Sequence, residues 1–309
     1  MPNNILQSSA FIGRTVRGEL ALLCIRHPYF YAELLLQGAQ LLHFAPKGEK
    51  NWLWLSDSAR YQRGQSVRGG IPICWPWFGQ AAKNPDAVKN QINNPDTAPA
   101  HGFARSTLWH IDSLYESCKE VRIKLILPHH EKNPNFVAEK LNLSVEFIFS
   151  QDGLSLHLTT QNLSEQTWHI SQALHSYFPT EHIEHTHIKG LENTRYIDTL
   201  TGWQEKNQQC AVAFTEETDR IYYSHAPLAL VSPSRHLLLH SQGSNSAVVW
   251  NPWVQKSLSL SQFKPWDYQR MFCVETANAL ADAVRLAPKA SHTLSLHIRS
   301  AVKRHSTLA

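Results

Sequence analysis

A chain of 309 residues with 42% hydrophobic and 17% charged residues carries enough apolar material for a substantial core, which excludes an intrinsically disordered protein. The formal net charge of +4 comes from Lys and Arg scattered along the chain without a dense basic run, so a nucleic-acid surface is not expected and a small anionic ligand is compatible. Five cysteines, Cys24, Cys74, Cys118, Cys210 and Cys273, include no C-x-x-C pair, which argues against a disulfide framework or a structural zinc site and for reduced thiols.

At the N-terminus, Asn3, Asn4, Gln7, Ser8 and Ser9 are polar where a signal peptide would be apolar, and the run Leu20 to Ile25 is too short to span a bilayer. A soluble cytoplasmic protein with no membrane partner is the expectation. The first dense motif is Arg68-Gly69-Gly70-Ile71-Pro72-Ile73-Cys74-Trp75-Pro76-Trp77-Phe78-Gly79. Its glycines permit close approach of a ligand, its tryptophans offer a face to the C–H side of a sugar, and Arg68 presents a fork of donors that fits phosphate. The alternative is a buried aromatic turn with a surface Arg. No G-x-x-x-x-G-K-[ST] phosphate loop is present.

Residues 79 to 101 hold Asn84-Pro85, Asn94-Pro95 and Pro99 with little apolar content, which predicts a loop or lid. His101-Gly102-Phe103-Ala104-Arg105 follows, adding a His and a second Arg beside a glycine; read alone, such a His is more often structural than catalytic. Strict apolar–polar alternation then marks strands at Val121 to Leu125, Leu141 to Phe147, Leu154 to Leu158 and Leu294 to Ile298. Asp152-Gly153 between two of them predicts a hairpin over 141–160, with the glycine supplying a positive φ for the turn.

In Ala173-Leu174-His175-Ser176-Tyr177-Phe178 the histidine sits among apolar and aromatic residues, where burial would lower its pKa or hold one tautomer; a satisfied core histidine is the alternative. His129-His130 and the group His182, His185 and His187 raise the question of a metal, but no carboxylate completes a pattern such as H-E-x-x-H, so solvated histidines and no metal are expected. Asp219 in Thr218-Asp219-Arg220-Ile221-Tyr222 fits either a ligand contact or a surface ion pair. Glu275, in Met271-Phe272-Cys273-Val274-Glu275-Thr276-Ala277-Asn278, is a carboxylate in an apolar strand and the best catalytic candidate on residue chemistry alone. Short strands, turn residues and scarce amphipathic helix point to an all-β protein, a large antiparallel β-sandwich forming one domain over residues 1–309.

Taken in order, Arg-Gly-Gly-Ile-Pro, His-Gly-Phe-Ala-Arg, Leu-His-Ser-Tyr-Phe, Thr-Asp-Arg-Ile-Tyr, Trp250-Asn251-Pro252-Trp253 and Cys-Val-Glu resemble the glucose-6-phosphate 1-epimerase branch of the aldose 1-epimerase superfamily, over roughly residues 15 to 298. The resemblance implies a galactose mutarotase-like supersandwich, no cofactor, a monomer, and a small sugar phosphate as the partner. It assigns catalysis to His175 and Glu275, phosphate or sugar binding to Arg68 and Arg105, substrate contact to Asp219, and a pocket-lining place to His101. Some relatives carry Gln just before the His-Gly pair, where this chain has Ala100, so one substrate hydrogen bond of the family stays open here. The expected reaction is ring opening and reclosure of a hexose 6-phosphate, with Glu275 as base on the C1 hydroxyl and His175 as acid toward the ring oxygen. Rival readings are an inert sugar-phosphate binder on the same fold, a metal enzyme, and a mutarotase of free hexoses.

Overall fold

The computed structural model describes residues 9–128, 136 and 140–301. Alternation dominates, and the strands it predicts are present. Leu141–Ser150 alternates buried and half-buried residues along its whole length, as does most of its partner Gly153–Asn162. The two form an antiparallel hairpin running from Leu141↔Asn162 to Ser150↔Gly153. The turn residues are therefore Gln151 and Asp152, one position earlier than Asp152-Gly153. Gly153 is needed for another reason: a Cβ there would lie 2.1 Å from the carbonyl oxygen of Ile298 on the next strand.

Among the described residues, the strands form two large sheets, a four-stranded sheet and a two-stranded ribbon. Every named pairing is antiparallel, as in the four-stranded sheet built from Ile12–Arg17, Leu20–His27, Phe30–Leu35 and Leu41–Pro46. The nine-stranded sheet has its middle in Arg235–Gln242, Ser291–Ser300, Gly153–Asn162, Leu141–Ser150 and Glu120–Leu127. The eight-stranded sheet has its middle in Thr218–Tyr223, Ser246–Asn251, Met271–Asn278 and Gln172–Leu174, with Tyr177–Pro179 continuing beside Met271 to Cys273.

These two sheets close on one core. Val145, Phe147, Leu156, Leu158, Leu294 and Leu296 from the nine-stranded sheet share a cluster with Tyr222, Val249, Phe272 and Val274 from the eight-stranded one. A hydrogen bond of 2.7 Å between the hydroxyls of Ser241 and Thr276 joins the layers at the core margin. Phe30 and Phe44 of the four-stranded sheet meet Phe149 at ring distances of 6.3 and 5.9 Å, which brings that sheet onto the same core. The galactose mutarotase-like antiparallel sandwich expected from the sequence is the fold observed.

Residues 79–101 form the expected connection, but they contain one short turn of 3-10 helix, Ala81–Lys83, and one of α-helix, Asp86–Lys89. Val88 and Ile92 are buried and belong to the main core, so the segment is pinned to the body of the protein. Among the described residues, no helix is long and apolar enough to cross a membrane.

Candidate active site

Period-two geometry sends alternate residues of a strand to opposite faces. Along Met271–Asn278, Phe272 and Val274 enter the sandwich core, while Cys273 and Ala277 face the other way. Glu275 shares the parity of Cys273 and Ala277, so it points away from the sandwich core. It is nevertheless only 2% exposed, because the strand is buried on both faces.

Register delivers the second group. Gln172 pairs with Asn278 and Leu174 with Thr276, and beyond a two-residue interruption Tyr177 pairs with Cys273. The unbroken count sets His175 directly opposite Glu275. Their Nε2 and Oε1 atoms lie 3.4 Å apart. The separation of 100 positions in the chain thus becomes a cross-strand pair.

The remaining sequence candidates gather around this pair. Arg68 donates from Nη1 to the Tyr177 hydroxyl at 3.2 Å. Gly70, two residues on, has φ +65°, and a Cβ there would lie 2.1 Å from the Leu41 carbonyl oxygen, so the segment carrying Arg68 passes where only glycine fits. His101 has its ring 5.5 Å from that of His175, and its Nδ1 accepts a 3.2 Å bond from the Gly79 amide. Arg105 donates from Nη2 to the Ala100 carbonyl at 2.8 Å. Its charge is felt at both His101 and His175. Asp219 sits two strands from Glu275, in register with Trp250, which is in turn in register with Cys273. All six candidates therefore belong to one neighbourhood, with the arginines on the His175 side and Asp219 on the Glu275 side.

Burial decides the electrostatics. It lowers the His175 imidazole to about 3, with the charges of Arg105 and Arg68 acting in the same sense. It raises Glu275 well above the usual carboxylate range, helped by the negative charge of Asp219. Asp219 itself is raised to about 6, again chiefly by burial. His101 is held well below its ordinary value by burial and then by Arg105. Both shifts favour the uncharged forms, a neutral imidazole beside a carboxyl group that keeps its proton to higher pH than usual. His175 Nδ1 and Glu275 Oε2 are both buried without a hydrogen-bond partner. Unsatisfied buried polar atoms are costly, and two of them on adjacent residues make this pair the candidate site for a polar ligand.

The walls are aromatic. Tyr177 stacks on His175 at 4.8 Å with planes 13° apart, and Trp250 meets the His175 ring edge-on at 6.2 Å. Trp54 and Phe263 continue this wall in one cluster with Tyr177, Met271 and Cys273. Residue chemistry did not single out Tyr177, Trp54 or Trp250 as site-lining. The spacing of two between His175 and Tyr177, and between Val248 and Trp250, was the available signal. Neither Trp75 nor Trp77 of the glycine-rich motif reaches this wall: both belong to the sandwich core, as the buried-turn alternative for that stretch expected.

The metal question concerns other residues. His185 ends a short 3-10 helix, Ile183–His185, and His187 begins the strand His187–Lys189, so the two do not alternate along a single strand. The rings of His182 and His185 are 5.8 Å apart. Among the described residues, no group of three His, Cys, Asp or Glu is arranged to hold a metal ion. His129 and His130 lie outside the described residues.

Comparison with known proteins identifies the family and the fold. The family model described as aldose 1-epimerase matches residues 21–299. An Escherichia coli (strain K12) protein named "Putative glucose-6-phosphate 1-epimerase" is 31% identical over 279 residues, covering 89% of each chain. The crystal structure of a Salmonella typhimurium protein described as a "putative mutarotase" superposes with a TM-score of 0.83 at 27% identity, over 96% of each chain. A galactose mutarotase-like protein from Lactobacillus casei shares the fold, with a TM-score of 0.65 at 15% identity over 90% of this chain and 99% of the other.

Proposed function

The chain belongs to the aldose 1-epimerase family and is a carbohydrate epimerase, and from that premise we propose that its reaction is the interconversion of the α and β anomers of hexose 6-phosphates, chiefly glucose 6-phosphate. The observation that carries this reading is the His175–Glu275 pair, at 3.4 Å, with an unpartnered buried atom on each member and two arginines beside it.

A cyclic hexose is a hemiacetal, so opening it requires one proton removed from the C1 hydroxyl and one delivered to the ring oxygen. A pair holding a single proton does this without net gain or loss. The proton passes from Glu275 to His175 across their contact. The Glu275 carboxylate then takes the C1 hydroxyl proton while the His175 imidazolium protonates the ring oxygen. Glu275 ends protonated, His175 neutral, and the sugar is the open-chain aldehyde. Rotation about the C1–C2 bond by about half a turn and reversal of the same steps give the other anomer. Each positioned acid or base typically contributes about 10²- to 10⁴-fold.

Arg68 and Arg105 would hold the 6-phosphate, since guanidinium forks match phosphate oxygens. A bound dianion would also offset the two positive charges that oppose protonation of His175, easing the internal proton transfer. Asp219 and His101 would take hydroxyl groups of the sugar, and the faces of Tyr177 and Trp250 its C–H side.

NMR exchange between α- and β-glucose 6-phosphate, with and without protein and with free glucose in parallel, tests the reading. Acceleration restricted to the phosphate ester is the expected result. Equal acceleration of glucose would remove the phosphate assignment from the arginines and leave the acid–base pair. No acceleration of either sugar would overturn the enzymatic reading in favour of an inert sugar-phosphate binder.

A further inference from the structure

We propose that Tyr177 is a positioning residue that couples the two ends of the site, its hydroxyl holding the Arg68 guanidinium and its ring holding the His175 imidazole. The proposal rests on the hexose-phosphate reading above and adds to it a residue with two separable jobs.

Tyr177 follows His175 by two positions on the same face, beside Cys273 of the neighbouring strand. Two rings lie nearly parallel to it: His175 at 4.8 Å and 13°, and Trp54 at 5.8 Å and 25°. Trp250 closes one side, edge-on at 6.3 Å and 80°. The phenol ring thus packs against three other rings and is 3% exposed. A ring held this firmly fixes the plane of the imidazole stacked on it. That matters because the His175 Nδ1 has no hydrogen bond that would set its orientation. An active-site histidine usually owes its orientation to a bond at the second ring nitrogen; here the stack takes that role.

The hydroxyl has a separate use. Its surroundings in the cluster are Trp54, Phe263, Met271 and Cys273, which offer a phenol little polar company. A buried phenol is costly unless its oxygen is bonded, and the bond it makes is the one it accepts from Arg68 Nη1. The guanidinium has five N–H donors. Anchoring one on Tyr177 sets the direction of the remainder, which presents a formed fork to a phosphate and reduces the entropy lost on binding. A phenylalanine would fill the same space and keep the stack while releasing Arg68.

The two jobs predict two different kinetic lesions. Tyr177→Phe is expected to raise KM for glucose 6-phosphate about tenfold, with a smaller change in kcat, because a hydrogen bond to a charged group is lost. In an Arg68→Met background the same substitution should add no further rise, since the bond it removes no longer exists. Tyr177→Leu is expected to lower kcat about tenfold or more by freeing the imidazole. Equal proportional changes in KM and kcat in both variants, or additive effects of Arg68→Met and Tyr177→Phe, would overturn the proposal. The His175 ring can also be read without turnover, from its ¹⁵N chemical shifts and tautomer signature in the folded protein. These should persist in Tyr177→Phe and change in Tyr177→Leu; an unchanged ring in Tyr177→Leu overturns the positioning role. If Tyr177→Leu does not fold, the Phe variant and the double-mutant cycle decide. Should the wild-type protein accelerate neither sugar, the hexose-phosphate reading fails while the ring measurement still tests Tyr177.

Discussion

The two large sheets use their second faces in opposite ways. The nine-stranded sheet keeps one face in the core and leaves the other partly open to water, where Lys124, Glu146, Ser155, His157 and His297 are half-buried polar side chains beside the buried Ser295. Four of these side chains satisfy one another: Ser155 bonds His297 at 2.8 Å, and His157 bonds Ser295 at 2.9 Å. Charge on such a surface costs little. The eight-stranded sheet is covered on both faces along Met271–Asn278, and it is there that the Glu275 carboxyl stands beside the His175 imidazole, with Glu275 Oε2 and His175 Nδ1 unpartnered among the described residues. Two glutamates on core-lining strands, Glu146 and Glu275, therefore live in different media. The difference teaches where to look for function: the desolvation cost that one sheet avoids is retained by the other, as the proposed substrate site requires.

The sharpest way to break this comparison is to make the same change on both sheets. Glu275→Gln or His175→Ala should reduce kcat/KM for anomer exchange by about 10²- to 10⁴-fold, whereas Glu146→Gln should leave it within error; NMR exchange kinetics check all three. Next in size, Phe147→Ala, on the inward face of the nine-stranded sheet, should cost about 3–5 kcal/mol in urea unfolding, because Phe147 is fully buried in the shared core. A loss below about 1 kcal/mol would contradict the core shared by the two sheets. Arg68→Met should raise KM for glucose 6-phosphate by about 10- to 100-fold with kcat less affected; steady-state kinetics that show a pure kcat loss would remove Arg68 from the phosphate site.

A fourth test uses pH. The raised pKa of Glu275 means that the folded chain keeps a proton which the unfolded chain releases near the ordinary value of 4.5. Stability from this group is therefore complete below that value and is lost as pH rises toward the folded pKa. Asp219, raised to about 6 from 3.8, acts in the same direction over its own range. His175, lowered from 6.5 to about 3, acts oppositely: the unfolded chain binds its proton first, so stability falls as pH drops below 6.5. Relative to wild type, Glu275→Gln should thus gain unfolding free energy as pH rises from 5 to 8, by at most about 1.4 kcal/mol per pH unit. A constant difference across that range would refute the desolvated carboxylate. The smallest effect belongs to the wet face. Lys124 lies 3.3 Å from Asp112 with both side chains about two-fifths exposed, and Lys124→Met should change stability by less than about 0.5 kcal/mol.

Much of this was legible in the primary structure, for reasons that can be traced residue by residue. The hairpin over 141–160 follows from alternation, because one wet face forces polar residues into every second position. Glu275 was visible because a carboxylate inside an apolar strand contradicts its surroundings. Where the reading missed, the cause was always a neighbour distant in the chain. Gly153 answers to the Ile298 carbonyl across the sheet and not to its own turn. Val88 and Ile92 pin a segment whose composition suggested a free loop or lid. Tyr177 was not singled out, because stacking on His175 and bonding to Arg68 leave no trace in local composition.

The amino-acid sequence by itself determined the strand class, the parity of each strand and the chemical types available for catalysis, since these depend on period-two patterning and on side-chain identity alone. Tertiary structure alone decided that His175 stands opposite Glu275, that Arg68 is held by Tyr177, and that burial raises the Glu275 carboxyl well above its usual range. Register between strands 100 positions apart and the exclusion of water from both faces of one sheet are collective properties of the packed chain, and no stretch of residues carries them locally.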